Sequence, residues 1–265
     1  MVEWLIDLFS FMPKAEEQVT YLVKNIPFAV WETIYSTVVA TVFSYLIRLP
    51  LGVILVTGEK DGIRPLPPAL MQLLNAIVNL LRSVPFLILM VLVMPLSRLI
   101  VGTTLGTVGV LVPLVVAAFP FVARLVEGSI REMDKGLIEA AQAMGCSTFQ
   151  TVWKVMLPES LPSLITGFTT AFVNILGYGA MSGAIGGGGL GAMALMKGWA
   201  SQKMLVLYTA VVVLIILVEV FQTVGTRVAV RMDKRLSRTV RKNAARDGKK
   251  RGQKDRKLMG PPGGM

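Results

Sequence analysis

Few side chains in this sequence could do covalent or metal chemistry. Histidine is absent and Cys146 is the single cysteine, which excludes imidazole catalysis, an intrachain disulfide and a cysteine metal cluster. Cys146 reads as a small residue at a helical turn rather than a reactive thiol. No GxxxxGK(S/T) phosphate loop occurs, so the chain is not expected to hydrolyse ATP, and no cofactor or metal is expected. Gly186, Gly188 and Gly191 satisfy GxGxxG, but they follow an apolar run rather than a strand and no βαβ unit is available. The bland reading of these glycines is flexible backbone. What remains is a handful of charges in apolar surroundings, Arg48, Arg82 and Glu219, and one structured polar stretch, EAAQAMGCSTFQTVWKVMLP, from Glu139 to Pro158. Glu219 is either an ion-coupling carboxylate or a boundary charge six residues from the end of its apolar run. Arg82 is either a buried partner for a carboxylate or the inner edge of a short span, and Arg48 is placed to snorkel to an interface.

The elements that must position these residues are membrane spans. Of 265 residues 54% are hydrophobic and the mean hydropathy is +0.65, too apolar for an ordinary soluble domain. Five crossings are expected: Thr33–Val56, a helix over Ala69–Val101 broken near Pro85, Leu105–Val122, Leu161–Ile185 and Met204–Gly225. An interfacial helix over Ala69–Leu81 is the alternative for the second. The net charge of +11 resides in the tail: from Thr226 onward 14 Lys or Arg face 3 acids, whereas residues 1–225 carry 13 of each sign. Basic loops face the inside. This puts residues 1–32 outside, the segments 57–68 and 123–159 inside as loops, and the tail 226–265 inside, where it is expected to be disordered and to meet lipid headgroups rather than nucleic acid. The domain division is therefore an N-terminal segment 1–32, a membrane domain 33–225 with the polar stretch 134–158 inside it, and the tail.

The polar stretch reads as helix, turn, helix. Asp134 can cap a first helix over Leu137–Met144, Gly145 can end it in the left-handed conformation, and Ser147 with Gln150 forms a capping-box pattern that restarts the chain as a helix. Pro158 is expected to stop that second helix before the fourth span.

Glu139, Ala140, Ala141, Gly145, Val155, Leu157 and Pro158 together match the cytoplasmic EAA loop, so the chain resembles the binding-protein-dependent ABC import permeases. RSVPFLILMVLVMPLSRLIVGTTLG (Arg82–Gly106) and LGYGAMSGAIGGGGLG (Leu176–Gly191) resemble the methionine-import (MetI) type within them. The resemblance implies an all-α integral membrane protein of type I ABC importer fold in the bacterial inner membrane. It implies a homodimer forming a translocation pathway, powered by a dimer of separate ATPase subunits and fed by an extracytoplasmic solute-binding protein. The loop would dock on the ATPase through Glu139, Ala140, Ala141, Gly145, Leu157 and Pro158. Met181 is implied as a pore-lining gate, with the small residues Gly177 and Gly183 beside it letting helices pack and the gate close. The cargo implied is methionine or a similar small amino acid. Rival readings are a permease for another small organic solute, an ion-coupled carrier using Glu219 or Arg82, and a non-transporting scaffold recruited by its tail.

Overall fold

Proline, glycine and polar breaks divide the apolar sequence into rods. The computed structural model describes residues 15–232, and every regular element among them is helical. In order these are α1 (Ala15–Thr57), α2 (Pro68–Ser83), α3 (Phe86–Val101), α4 (Gly106–Ala117), α5 (Phe119–Arg131), α6 (Lys135–Ala143), α7 (Thr148–Thr151), α8 (Leu157–Ser182), α9 (Gly189–Ala192) and α10 (Met204–Met232). Two π-helical turns, Val152–Met156 and Met193–Trp199, and a 3₁₀ turn, Gly183–Ile185, join their neighbours. Three rods, α1, the continuous run Thr148–Ile185 and α10, are long and apolar enough to cross a bilayer. The pairs α2–α3 and α4–α5 meet the same criterion together, bent by 110° and 48°. The all-α membrane architecture expected from composition is what the chain adopts.

Several boundaries differ from the sequence expectation. The first helix has no break at Thr33: α1 runs 43 residues from Ala15, roughly 64 Å at helical rise and about twice a bilayer core. Its N-terminal third is retained because Val19, Leu22 and Ala29 bury themselves against Leu190, Val206 and Ala210. The stretch around Trp4, Leu5, Leu8 and Phe11, read as membrane-seeking, lies outside the described residues. The break at Val84–Pro85 occurs as expected, since Pro85 cannot donate to a helix ladder. Its 110° bend, however, makes α2 an arm set at a steep angle to α3 rather than half of a nearly straight rod. The arm exposes Leu73, Ile77 and Leu80 along one side.

The segment expected as a loop from Ala123 is helical to Arg131, with Ala123, Val126 and Ile130 buried. Charge density had suggested a loop there; Glu127 neutralises the arginines instead and lets the helix continue. Pro158 does not stop a helix either. The preceding turn widens to π geometry, with the Leu157 N–H donating to the Val152 carbonyl, and Pro158 falls in the first turn of α8, where its missing N–H is tolerated. The last helix continues past Gly225 to Met232; the remainder of the tail lies outside the described residues.

The main core lies where α1, α4, α5 and α8 meet, around Ala40, Leu114, Val122, Val126 and Ile175. Close crossing is enforced by Gly52, where a Cβ would stand 2.5 Å from Val126 Cγ1. Outward-facing Leu92, Leu99, Ile215 and Ile216 remain exposed, an apolar surface suited to lipid or to another subunit.

Candidate functional site

The Glu139–Pro158 stretch folds as a helical knob whose hydrogen bonds are local. Asp134 Oδ1 accepts from the Gly136 N–H at 2.9 Å and opens α6. At its far end the Cys146 N–H donates to the Ala141 carbonyl at 3.1 Å and the Gly145 N–H to the Gln142 carbonyl at 2.9 Å. These are the paired bonds of a Schellman ending, made possible by φ +78° at Gly145. Ser147 Oγ accepts from the Gln150 N–H at 3.3 Å while the Ser147 N–H donates to Gln150 Oε1 at 2.9 Å, a complete capping box.

The knob divides the loop residues by face. Glu139, Ala140, Gly145 and Pro158 are exposed, whereas Ala141 is buried and Leu157 is partly buried against the main core. Beside the exposed set stand Met144 (76% exposed), Phe149 (74%) and Trp153 (62%), the last two stacked with ring planes 5° apart. Uncovered aromatic side chains on a fully capped, rigid turn make a surface shaped for another protein rather than for water. The continuous π-turn joins this surface to α8 with no flexible link.

The implied gate residues occupy two settings. Gly177 and Met181, four apart on α8, share a face: a Cβ on Gly177 would meet nothing within 4 Å, and Met181 is 49% exposed. Gly183 is buried, and a side chain there would run into the backbone of Gly191 and Ala192. Gly183 therefore holds the end of α8 against the glycine segment, while Gly177 and Met181 face open space.

The glycine segment is clamped rather than loose. Glu32, on α1, accepts from Thr107 Oγ1 at 2.5 Å and from the Gly189 N–H at 3.0 Å. Thr33 Oγ1 accepts from the Leu190 N–H at 2.9 Å, and the Gly106 N–H donates to the Gly186 carbonyl at 2.8 Å. Glu32, Thr33 and Thr107 were not legible as site residues, because a carboxylate at the edge of an apolar run carries no sign of a partner 157 residues away.

At the other end, buried Glu127 joins Arg124 and Arg131, each at 2.8 Å, and Arg131 also pairs with Glu59 of the α1–α2 loop. Here a signal existed: Arg124, Glu127 and Arg131 lie at i, i+3 and i+7 on one helical face.

Of the isolated charges, Arg48 does not snorkel. It is 1% exposed, lies over the Phe119 ring, and its Nε and Nη1 have no hydrogen-bond partner, because α5 covers α1 at that depth. Glu219 is exposed on α10, 13 residues before the helix ends at Met232. Arg82 is exposed at the last turn of α2 and has no carboxylate partner among the described residues, which excludes the buried-pair reading. Among the described residues no cluster of potential metal ligands occurs.

Residues 48–238 match the family described as the binding-protein-dependent transport system inner membrane component. The chain belongs to this family. As an inner-membrane permease component it is 44% identical over 207 residues to the probable D-methionine transport system permease protein MetI of Vibrio cholerae, covering 78% of this chain and 92% of that one. It is 43% identical over 167 residues to the methionine import system permease protein MetP of Bacillus subtilis, covering 63% and 75%. The fold superimposes on an inward-facing conformation of the MetNI methionine ABC transporter with a TM-score of 0.78 at 39% identity, over 84% of this chain and 100% of that one. The EAA-loop resemblance and the fold comparison thus lead to the same family.

Proposed function

We propose that this permease forms the translocation pathway of an ATP-driven importer of methionine. It works as a homodimer, takes cargo from an extracytoplasmic binding protein, and is driven by separate ATPase subunits docked on the Glu139–Pro158 knob. In this reading five crossings, with the N-terminus outside, place the knob and the Glu59–Arg131 network inside. One observation carries the coupling part: the knob presents Glu139, Phe149 and Trp153 to solvent on a turn with every cap satisfied, and the π-turn Val152–Met156 continues into α8. A displacement of the docked knob would then move α8, and with it the face bearing Gly177 and Met181, as one body. Met181 closes the passage in this mechanism, its flexible thioether filling the gap that Gly177 leaves. The methionine part rests on the permeases from V. cholerae and B. subtilis, both named for methionine transport.

The test is uptake of labelled amino acids by proteoliposomes holding this chain with its ATPase subunit and binding protein. Methionine accumulation requiring ATP and all three components is expected. Accumulation by this chain alone, driven by an ion gradient, would overturn the proposal.

A further inference from the structure

The break between α2 and α3 opens a cavity of about 460 Å³, lined among others by Arg82, Pro85, Phe86, Phe121, Arg124 and Tyr178. Its volume falls within the roughly 300–1,000 Å³ of small-molecule sites. Its depth follows from helix register. Along the bent pair α4–α5, which runs from Gly106 to Arg131, the lining residue Ala117 comes 11 residues after the start and Arg124 7 residues before the end. At helical rise these are about 16 Å and 10 Å from the two ends of that pair. Discontinuous helices that open a polar site near the midplane are how many transporters hold their cargo.

The charges around this cavity do not balance. Arg124 is met by Glu127 at 2.8 Å and donates to Asn79 Oδ1 at 3.2 Å, and Arg131, which shares Glu127, also has Glu59, so the unmatched charge is that of Arg82. Arg82 has no acidic partner among the described residues, and the N-terminus of 16-residue α3 adds its positive dipole end at Phe86. One anionic group is what the site lacks. The lining also holds an aromatic wall, Phe86 stacked on Tyr178 at 3.9 Å between centroids, together with Phe121. Such a wall suits an ammonium group by cation–π attraction and a thioether by sulfur–aromatic contact.

We infer that this cavity is a cargo site within each permease subunit, in which Arg82 and Arg124 take the carboxylate of a small amino acid and Phe86, Phe121 and Tyr178 take its side chain. The inference rests on the proposed importer function and adds the recognition chemistry to it. A charge-assisted arginine–carboxylate contact is the strong element of such a site.

Direct binding of labelled L-methionine to the purified permease–ATPase complex, without binding protein, reads the site separately from transport. Arg82→Gln is expected to weaken binding at least tenfold and Arg82→Lys to recover part of it, with the thermal midpoint reporting folding. In the unsubstituted complex 3-(methylthio)propylamine, which lacks only the carboxylate, is expected not to compete. Equal competition by that amine, unaltered affinity in Arg82→Gln, or absence of saturable amino-acid binding each overturns the site. So does displacement of methionine by phosphatidylglycerol in otherwise neutral lipid, which would assign the arginines to a headgroup. Methionine uptake by the complete importer with unaltered binding in Arg82→Gln refutes the site and leaves the function standing. Carboxylate- and Arg82-dependent binding of a different amino acid keeps the site and refutes methionine as cargo.

Discussion

The helical knob and the glycine clamp solve the same problem, fixing a short turn, by opposite means. At the knob each constraint is local: Asp134 reaches Gly136, Ser147 reaches Gln150, and Cys146 reaches Ala141. At the clamp the decisive contacts are remote, since Glu32 and Thr33 of α1 hold the Gly189 and Leu190 N–H groups 157 residues further along the chain. A turn built from its own neighbours keeps its shape when it is displaced together with α8, which suits a docking element. A turn held by other helices is part of the bundle, so perturbing it perturbs the fold. The two regions should therefore respond differently to mutation: knob variants should lose coupling at nearly constant stability, and clamp variants should lose stability first.

The largest separation should come from Glu139→Lys and Gly145→Val. Both positions are exposed, and a Cβ at Gly145 meets nothing within 4 Å, so its φ of +78° is the only objection to a side chain there. A β-branched residue in that conformation costs on the order of 1–3 kcal/mol, spent on reshaping the knob. Co-purification with the ATPase subunit and ATP-dependent uptake are expected to fall at least tenfold in each, while the thermal midpoint of the purified permease moves by only a few degrees. Full coupling in both variants would refute docking at the knob.

Next in size is Glu32→Gln. The amide retains the shape but loses the charge-assisted bonds to Thr107 and Gly189, and the site is partly buried. A loss of about 2 kcal/mol is expected, seen as a lowered thermal midpoint, with the ATPase subunit still co-purifying. If ATPase association falls in this variant while stability does not, the proposed contrast between the two ends is wrong.

The same contrast explains which parts of the molecule were legible in the sequence. The knob was readable residue by residue, caps included, because helix ends are encoded within three or four positions. The apolar runs announced membrane helices, because burial in lipid demands them whatever the tertiary arrangement. What the sequence hid is tertiary. The extension of α1 back to Ala15 depends on packing against α10, and the burial of Arg48 depends on α5 lying over it. Pro158 was misread for a related reason: a proline breaks a regular ladder, yet one widened turn just before it lets the helix run on.

A smaller effect is expected at Ser147→Ala, which removes the N-cap acceptor of the second knob helix while leaving every tertiary contact in place. Loss of such a cap costs about 1 kcal/mol. Because α7 is only four residues long before the π-turn begins, that loss should appear as local fraying. Hydrogen exchange at residues 148–153 is expected to accelerate about fivefold with the global midpoint unchanged, and uptake should fall by less than half. Unchanged exchange would mean that the knob is held by the bundle rather than by its own caps.

The smallest shift separates packing from backbone conformation. Gly128 lies inside α5, and a Cβ there would meet nothing within 4 Å; Gly188 lies in the clamp, where a Cβ would collide with Thr107 Oγ1 and come within 3.1 Å of a Glu32 carboxylate oxygen. Alanine at Gly128 is expected to stabilise by about 0.5–1 kcal/mol through reduced backbone entropy in the unfolded chain. At Gly188 the same substitution is expected to destabilise, because Thr107 and Glu32 cannot both keep their bond and clear the new methyl. Thermal midpoints of opposite sign in two alanine variants would locate the difference in tertiary crowding, since the added group is identical. Equal midpoints would mean that the clamp yields to a methyl group, and that the glycine turn is held less tightly than the bonds from Glu32 and Thr33 imply.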